Sequence, residues 1–183
     1  MKVSTRSLFE IALFTGLTAV GGLIRIPLPL VPLTMQTFFV YLSGILLGCK
    51  KGAISQIVFL CIGLLGVPIF GQGGGLMYVL QPSFGYLLAF PIASWVVGKI
   101  NGEAFIESEW KRIAFSFAMG ILSILLIGTL GLWFNMKFIT HVPIYISKAV
   151  VGGFLIFLPG EILKGVGVYF LMKKLKRLQT LMV

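Results

Sequence analysis

Long apolar stretches, each broken by prolines, glycines or basic residues, dominate the chain and predict a series of helices. The first runs from about Leu8 to Ile24 and stops at Arg25 and the series Pro27, Pro29 and Pro32. A second, from about Thr34 to Cys49, ends at Lys50-Lys51, and a third begins near Ala53 and fails at Gly66-Val67-Pro68. The glycine-rich loop Gly71-Gln72-Gly73-Gly74-Gly75 precedes a fourth stretch, about Ser83 to Ile100. A polar, acidic link from Asn101 to Glu109 then leads to a fifth, about Arg112 to Phe134. Ser147 to Met172 could form one long kinked helix. Proline suits the first turn of a helix better than its interior, however, because it lacks an N–H and clashes with the preceding turn. The pattern therefore predicts a short helix at about Pro143–Gly153 and a sixth long one from about Pro159 to Leu178. The expected spans are 8–24, 34–49, 53–66, 83–100, 112–134 and 159–178.

Composition turns these helices into membrane spans. Of the 183 residues 58% are hydrophobic and only 11% charged, where an ordinary soluble domain carries roughly 25% charged residues. The mean hydropathy is +1.05. Crossing the hydrocarbon takes about 20 apolar residues, so the spans use nearly the whole length and leave no room for a soluble catalytic domain. The expected fold is an all-α integral membrane protein, a compact bundle of six transmembrane helices forming a single domain over 1–183. Lys2 and Arg6 before an apolar run resemble the start of a signal peptide, but no convincing cleavage site follows, so the first segment is expected to be retained.

Charge sets the expected orientation. With the N-terminus in the cytoplasm, the inner side carries Lys2, Arg6, Lys50, Lys51, Lys99, Lys111, Arg112, Lys173, Lys174, Lys176 and Arg177; the outer side carries Arg25, Lys137 and Lys148. This asymmetry follows the positive-inside rule with both termini cytoplasmic. The net charge of +10 is thus a topology signal. Scattered over inner loops and not interleaved with aromatics on one face, these cations argue against a nucleic-acid partner.

The remaining basic residue, Lys164, lies three places after Glu161 within an apolar stretch. On a helix, residues three apart share a face, and ionisable groups at membrane depth are costly unless they pair, line a cavity or bind something polar. Simple neutralisation at a helix end is the plainest alternative. Catalytic and metal readings lack parts, since there is no Asp, a single His and no His/Cys cluster; His141 falls in a connecting loop. Cys49 and Cys61 lie in apolar segments, read as near the inner side, where buried packing is the default and a disulfide is not expected.

The glycine loop offers backbone N–H groups that can approach a ligand closely. With no Lys-Ser/Thr after it and no strand before it, it is not a phosphate loop; it is either a flexible outer connection or a gate. Tyr78, Gln81 and Tyr86 follow it closely, and a glutamine can hydrogen-bond a neutral ligand as both donor and acceptor. Ala12 and Gly16, and Gly44 and Gly48, are pairs of small residues four apart, a spacing that lets helices approach closely in lipid.

Taken in order, Ile26-Pro27-Leu28-Pro29-Leu30-Val31-Pro32-Leu33-Thr34-Met35-Gln36-Thr37, Leu46-Leu47-Gly48, Gly63-Leu64-Leu65-Gly66-Val67-Pro68-Ile69-Phe70, Gln81-Pro82-Ser83-Phe84-Gly85-Tyr86-Leu87 and Leu158-Pro159-Gly160-Glu161-Ile162-Leu163-Lys164 resemble the motifs of the BioY family, the biotin-binding substrate subunits of energy-coupling factor transporters. The resemblance implies a six-helix protein of the bacterial cytoplasmic membrane, surrounded by lipid, that binds biotin near the outer surface. It also implies partners: a transmembrane coupling protein and two cytoplasmic ATP-binding subunits that hydrolyse ATP. The chain itself would be no enzyme and carry no cofactor.

Biotin has a fused ureido ring with two N–H donors and a carbonyl, an apolar sulfur ring and a carboxylate tail. Glu161 and Lys164 suit the polar groups, with Gln81, Tyr86, Tyr78, Gly73, Gly74 and Gln36 as further binding candidates; Ala12 and Gly16 match a family pattern that docks the coupling protein. The family usually has aspartate where this chain has Glu161, so the carboxylate is displaced by one methylene. Two other readings are a proton- or ion-coupled transporter titrating Glu161 and a structural subunit whose Glu161 and Lys164 pair only with each other. Internal repeats with paired broken helices, usual in the first, are not evident.

Overall fold

A computed structural model describes residues 4–28, 30–103, 106–142 and 145–181, with side chains described through residue 175. Lys2, Pro29 and Pro143 lie outside the described residues, as do the side chains of Lys176 and Arg177. The helices are α1 (Thr5–Leu23), α2 (Gln36–Leu64), α3 (Phe84–Gly102), α4 (Glu109–Phe134), a short α5 (Ile146–Val150) and α6 (Leu158–Leu181). A 3-10 turn at Leu76–Leu80 precedes α3, and π turns continue α4 over Asn135–Ile139 and α5 over Val151–Leu155. Two-residue strands β1 (Arg25–Ile26) and β2 (Leu33–Thr34) pair antiparallel, Arg25 opposite Thr34, and close the proline-rich loop. This small ladder is an addition to the all-α expectation.

The expected break between spans 34–49 and 53–66 is a single residue. Gly48 has φ 78 and ψ 173 inside an otherwise helical run, a region of backbone space open only to glycine. The chain reverses there, so that Gln56 Nε2 donates to Ser43 Oγ at 3.2 Å. Lys50 and Lys51 belong to the returning arm rather than to a loop. Helix α3 packs tightly on this hairpin. A Cβ on Gly44 would stand 2.5 Å from the Ser94 carbonyl, and one on Gly98 2.6 Å from the Gly48 carbonyl carbon. Both small residues thus serve contact within the bundle.

Helix α1 lies along the returning arm: Thr15 Oγ1 donates to Ser55 O at 2.9 Å, and Lys51 meets Glu10 at 2.8 Å. Trp110 of α4 crosses Tyr169 of α6 edge-on at 5.4 Å, while Tyr86 at the start of α3 stacks on Phe157 beside the start of α6 at 5.6 Å. These contacts gather the start of α1, the Gly48 reversal, the end of α3, the start of α4 and the end of α6 at one end of the bundle, which is the end rich in lysine. Proline-rich and glycine-rich loops occupy the other. Cys61 is exposed and lies next to Leu64 and Leu65, at the end away from Lys51; the expectation of a buried cysteine near the inner side is corrected, because residue 61 falls on the outward face of the returning arm.

The core runs through α2, α3 and α4, where Val40, Tyr41, Phe59, Ala93 and Val97 are fully buried. Outward faces remain apolar, with Leu8, Phe9, Leu130, Leu163 and Phe170 all more than half exposed. Burial inside and apolarity outside together require a lipid surround. Among the described residues four helical stretches are long and apolar enough to cross a membrane: Thr5–Leu23, Gln36–Leu64, Glu109–Ile139 and Ile146–Leu175. The chain is a multi-pass membrane protein.

Candidate functional site

Pro159 stands in the first turn of α6, the place where its missing N–H costs nothing, and Glu161 follows in that turn. The positive end of the helix favours a carboxylate here. One turn on, Lys164 points to the same side, and both side chains are buried, Glu161 2% and Lys164 7% exposed. Lys164 Nζ lies 2.5 Å from Glu161 Oε1.

The pair does not stand alone. Thr37 and Tyr41, four apart on the first arm of α2, face it. Thr37 Oγ1 donates to Glu161 Oε1 at 3.0 Å and accepts from Lys164 Nζ at 2.7 Å, and Tyr41 donates its hydroxyl to Glu161 Oε2 at 2.6 Å. A carboxylate has about four acceptor positions and an ammonium three donors. Three positions on Glu161 and two on Lys164 are taken by described residues, which leaves roughly one acceptor, on Oε2, and one donor on Lys164.

Glu161, Lys164 and Thr37 form one wall of a cavity lined also by Val31, Gln36, Gly71, Tyr78, Ser83, Tyr86, Phe90, Leu125 and Phe157; Tyr41 bonds Glu161 without lining the cavity itself. The cavity volume is about 40 Å³, room for a few waters, so a larger ligand requires the lining to move. Arg25 donates from its guanidinium to the Gly71 carbonyl, tying β1 to the glycine loop. Ser83 Oγ donates to the Tyr78 hydroxyl at 3.2 Å, and burial pushes the Tyr78 phenol above its ordinary range, the Ser83 bond opposing it. Tyr86 donates to Gly153 O at 2.6 Å, binding α3 to the π turn before α6.

Among the residues singled out in the sequence, the fold brings Glu161, Lys164, Gln36, Tyr78 and Tyr86 to this cavity. Gln36 is 2% exposed and donates to Ile69 O at 3.4 Å. Gln81 is exposed and does not line the cavity. Gly73 and Gly74 lie outside it too; Gly74 packs against Val67, whose carbonyl oxygen would be 2.2 Å from an added Cβ, while Gly71 of the same loop reaches the cavity. Thr37, Tyr41, Ser83 and Phe157 were not singled out. Thr37 and Tyr41 had a readable signal, a polar pair at i,i+4 in an apolar helix. Ala12 and Gly16 share an exposed face of α1, and nothing stands within 4 Å of a Cβ on Gly16.

Comparison with known proteins gives a consistent result. Residues 1–180 match the model of the BioY family. A probable biotin transporter of Lysinibacillus sphaericus is 47% identical over 141 residues, covering 73% of this chain and 71% of its own. The biotin transporter of Thermotoga maritima is 33% identical over 176 residues, 96% of this chain and 98% of its own. A crystal structure of the S-component for biotin from an ECF-type ABC transporter superposes with a TM-score of 0.77 at 25% identity, covering 94% of this chain and 91% of that one.

Proposed function

The chain belongs to the BioY family, and we propose that it binds biotin as the substrate-specific subunit of an energy-coupling factor transporter in the bacterial cytoplasmic membrane. The observation that carries this reading is the Glu161–Lys164–Thr37 cluster at a cavity wall, with Tyr41 bonded to Glu161. Its spare acceptor and spare donor match a ureido N–H and carbonyl, which biotin presents on one ring. Low dielectric strengthens such charge-assisted bonds. Phe90, Leu125 and Phe157 offer apolar surface to the sulfur ring.

Because the cavity is smaller than biotin, loading requires the loop end to open. The Gly71–Gly75 loop and the β1–β2 hairpin, latched by Arg25, form the gate in this reading. The helical arms are six membrane spans, counting the two arms of α2 separately, with both termini and the lysine-rich end in the cytoplasm. The cavity then faces outward. Transport energy would come from two separate ATP-hydrolysing subunits acting through a transmembrane coupling protein, which docks on the exposed Ala12–Gly16 face of α1.

Calorimetric titration of the purified chain with biotin, and with thiamine and riboflavin as controls, tests the reading. Saturable heat with biotin alone supports it. Equal response to thiamine or riboflavin, or no binding of biotin, overturns it.

A further inference from the structure

A second opening lies between α4 and α6, lined by none of the charged cluster and sharing only Leu125 with the cavity described above. Ala114, Phe117, Ala118 and Leu122 on α4 face Ile162 and Val166 on α6 across a groove of about 540 Å³. Every residue along it is apolar except Tyr169. From Ala114 to Leu125 the groove covers eleven helical steps, about 16 Å at 1.5 Å per residue. That is about half of the roughly 30 Å hydrocarbon, the depth of one leaflet.

The end of the groove near Ala114 and Tyr169 is marked by polar chemistry. Trp110 and Tyr169 cross there edge-on at 5.4 Å, amphipathic rings of the kind that sit at headgroup level. Continuing each groove face by one helical turn reaches Lys111, three residues before Ala114, and Lys173, four after Tyr169; both are exposed. Two cations thus flank the mouth of an acyl-chain-deep slot. The occupant that fits is an anionic phospholipid.

We propose that α4 and α6 hold one anionic phospholipid from the leaflet on the lysine-rich side, one acyl chain in the groove and its phosphate between Lys111 and Lys173. A lysine near a membrane surface strengthens anionic attraction roughly fivefold, so the pair predicts a preference of roughly 25-fold. The site needs no biotin.

Native mass spectrometry of the full chain, titrated with phosphatidylglycerol or phosphatidylcholine of identical acyl chains, reads it directly. Wild type should retain one phosphatidylglycerol in clear preference. Lys111→Gln with Lys173→Gln, both at exposed positions, should abolish the preference while leaving weak retention of either lipid. Ala118→Phe, which fills the exposed side of the groove, should lower retention of both. Equal retention of the two lipids by wild type overturns the proposal, as does a preference unchanged in the lysine variant. Cross-linking of Ala118→Cys to a protein subunit, in place of lipid, in the membrane-embedded complex would assign the groove to that subunit instead.

Discussion

The Tyr41 hydroxyl lies 2.6 Å from Glu161 Oε2 across 120 residues of sequence. No other described residue bonds that oxygen, so the contact decides where the second lone edge of the carboxylate points. Tyr41→Phe removes the donor and leaves a buried anionic oxygen short of a partner, which costs about 1–3 kcal/mol. The expected outcome is biotin binding weakened by about tenfold or more with the fold retained, measured by calorimetry and circular dichroism. Unchanged affinity would detach Tyr41 from the site.

Glu161→Gln keeps the size and removes the charge, and Lys164→Met removes the donor. Either change strands the other ion in a buried place. Loss of one partner of such a set costs roughly 2–5 kcal/mol, so each variant should bind biotin at least about thirtyfold more weakly. Parental affinity in two well-folded variants would show that biotin does not bind at this pair.

Gly48 carries the reversal of α2 at φ 78. Gly48→Ala forces a Cβ into a conformation that costs about 1–3 kcal/mol, although no atom stands within 4 Å to clash with it. A lowered thermal midpoint with ligand contacts preserved is expected in detergent. A midpoint equal to that of the parent would mean the hairpin turns by other dihedrals.

Opening of the loop end is open to direct observation. Gly73 has φ 131 and would be strained by substitution, whereas neighbouring Gln72 is exposed. A spin label on Gln72→Cys should lose mobility when biotin saturates the chain, and in oriented vesicles it should react only from the outside. Mobility indifferent to biotin removes the gate; labelling from the cytoplasm reverses the topology.

Docking of the coupling subunit makes the opposite demand on the site. Ala12→Trp and Gly16→Leu project from an exposed face of α1, so biotin binding by the isolated chain should persist. Copurification of the coupling subunit and ATP-dependent uptake should fall. Lost binding with retained assembly would assign this face to a role within the bundle.

The readable features were local or one-dimensional: helices along the apolar runs, an acid and a base three apart on one helix face, a proline at a first turn, and family motifs in order along the chain. These follow from periodicity and composition, which every residue carries with it. What lies across from what came from the packing of the helices. Thr37 and Tyr41 meet Glu161 because α2 packs on α6, and no spacing within either helix specifies that meeting. Gln81 falls outside the cavity while Gly71 reaches it, because the 3-10 turn at Leu76–Leu80 changes the direction of the chain between them. The basic pair after Gly48 marked an end of a span, but the sharp return came from one glycine whose positive φ becomes necessary only when two arms must lie side by side under α3. Burial, which makes the Glu161 and Lys164 charges costly and therefore selective, is a property of the packed bundle and of no single segment.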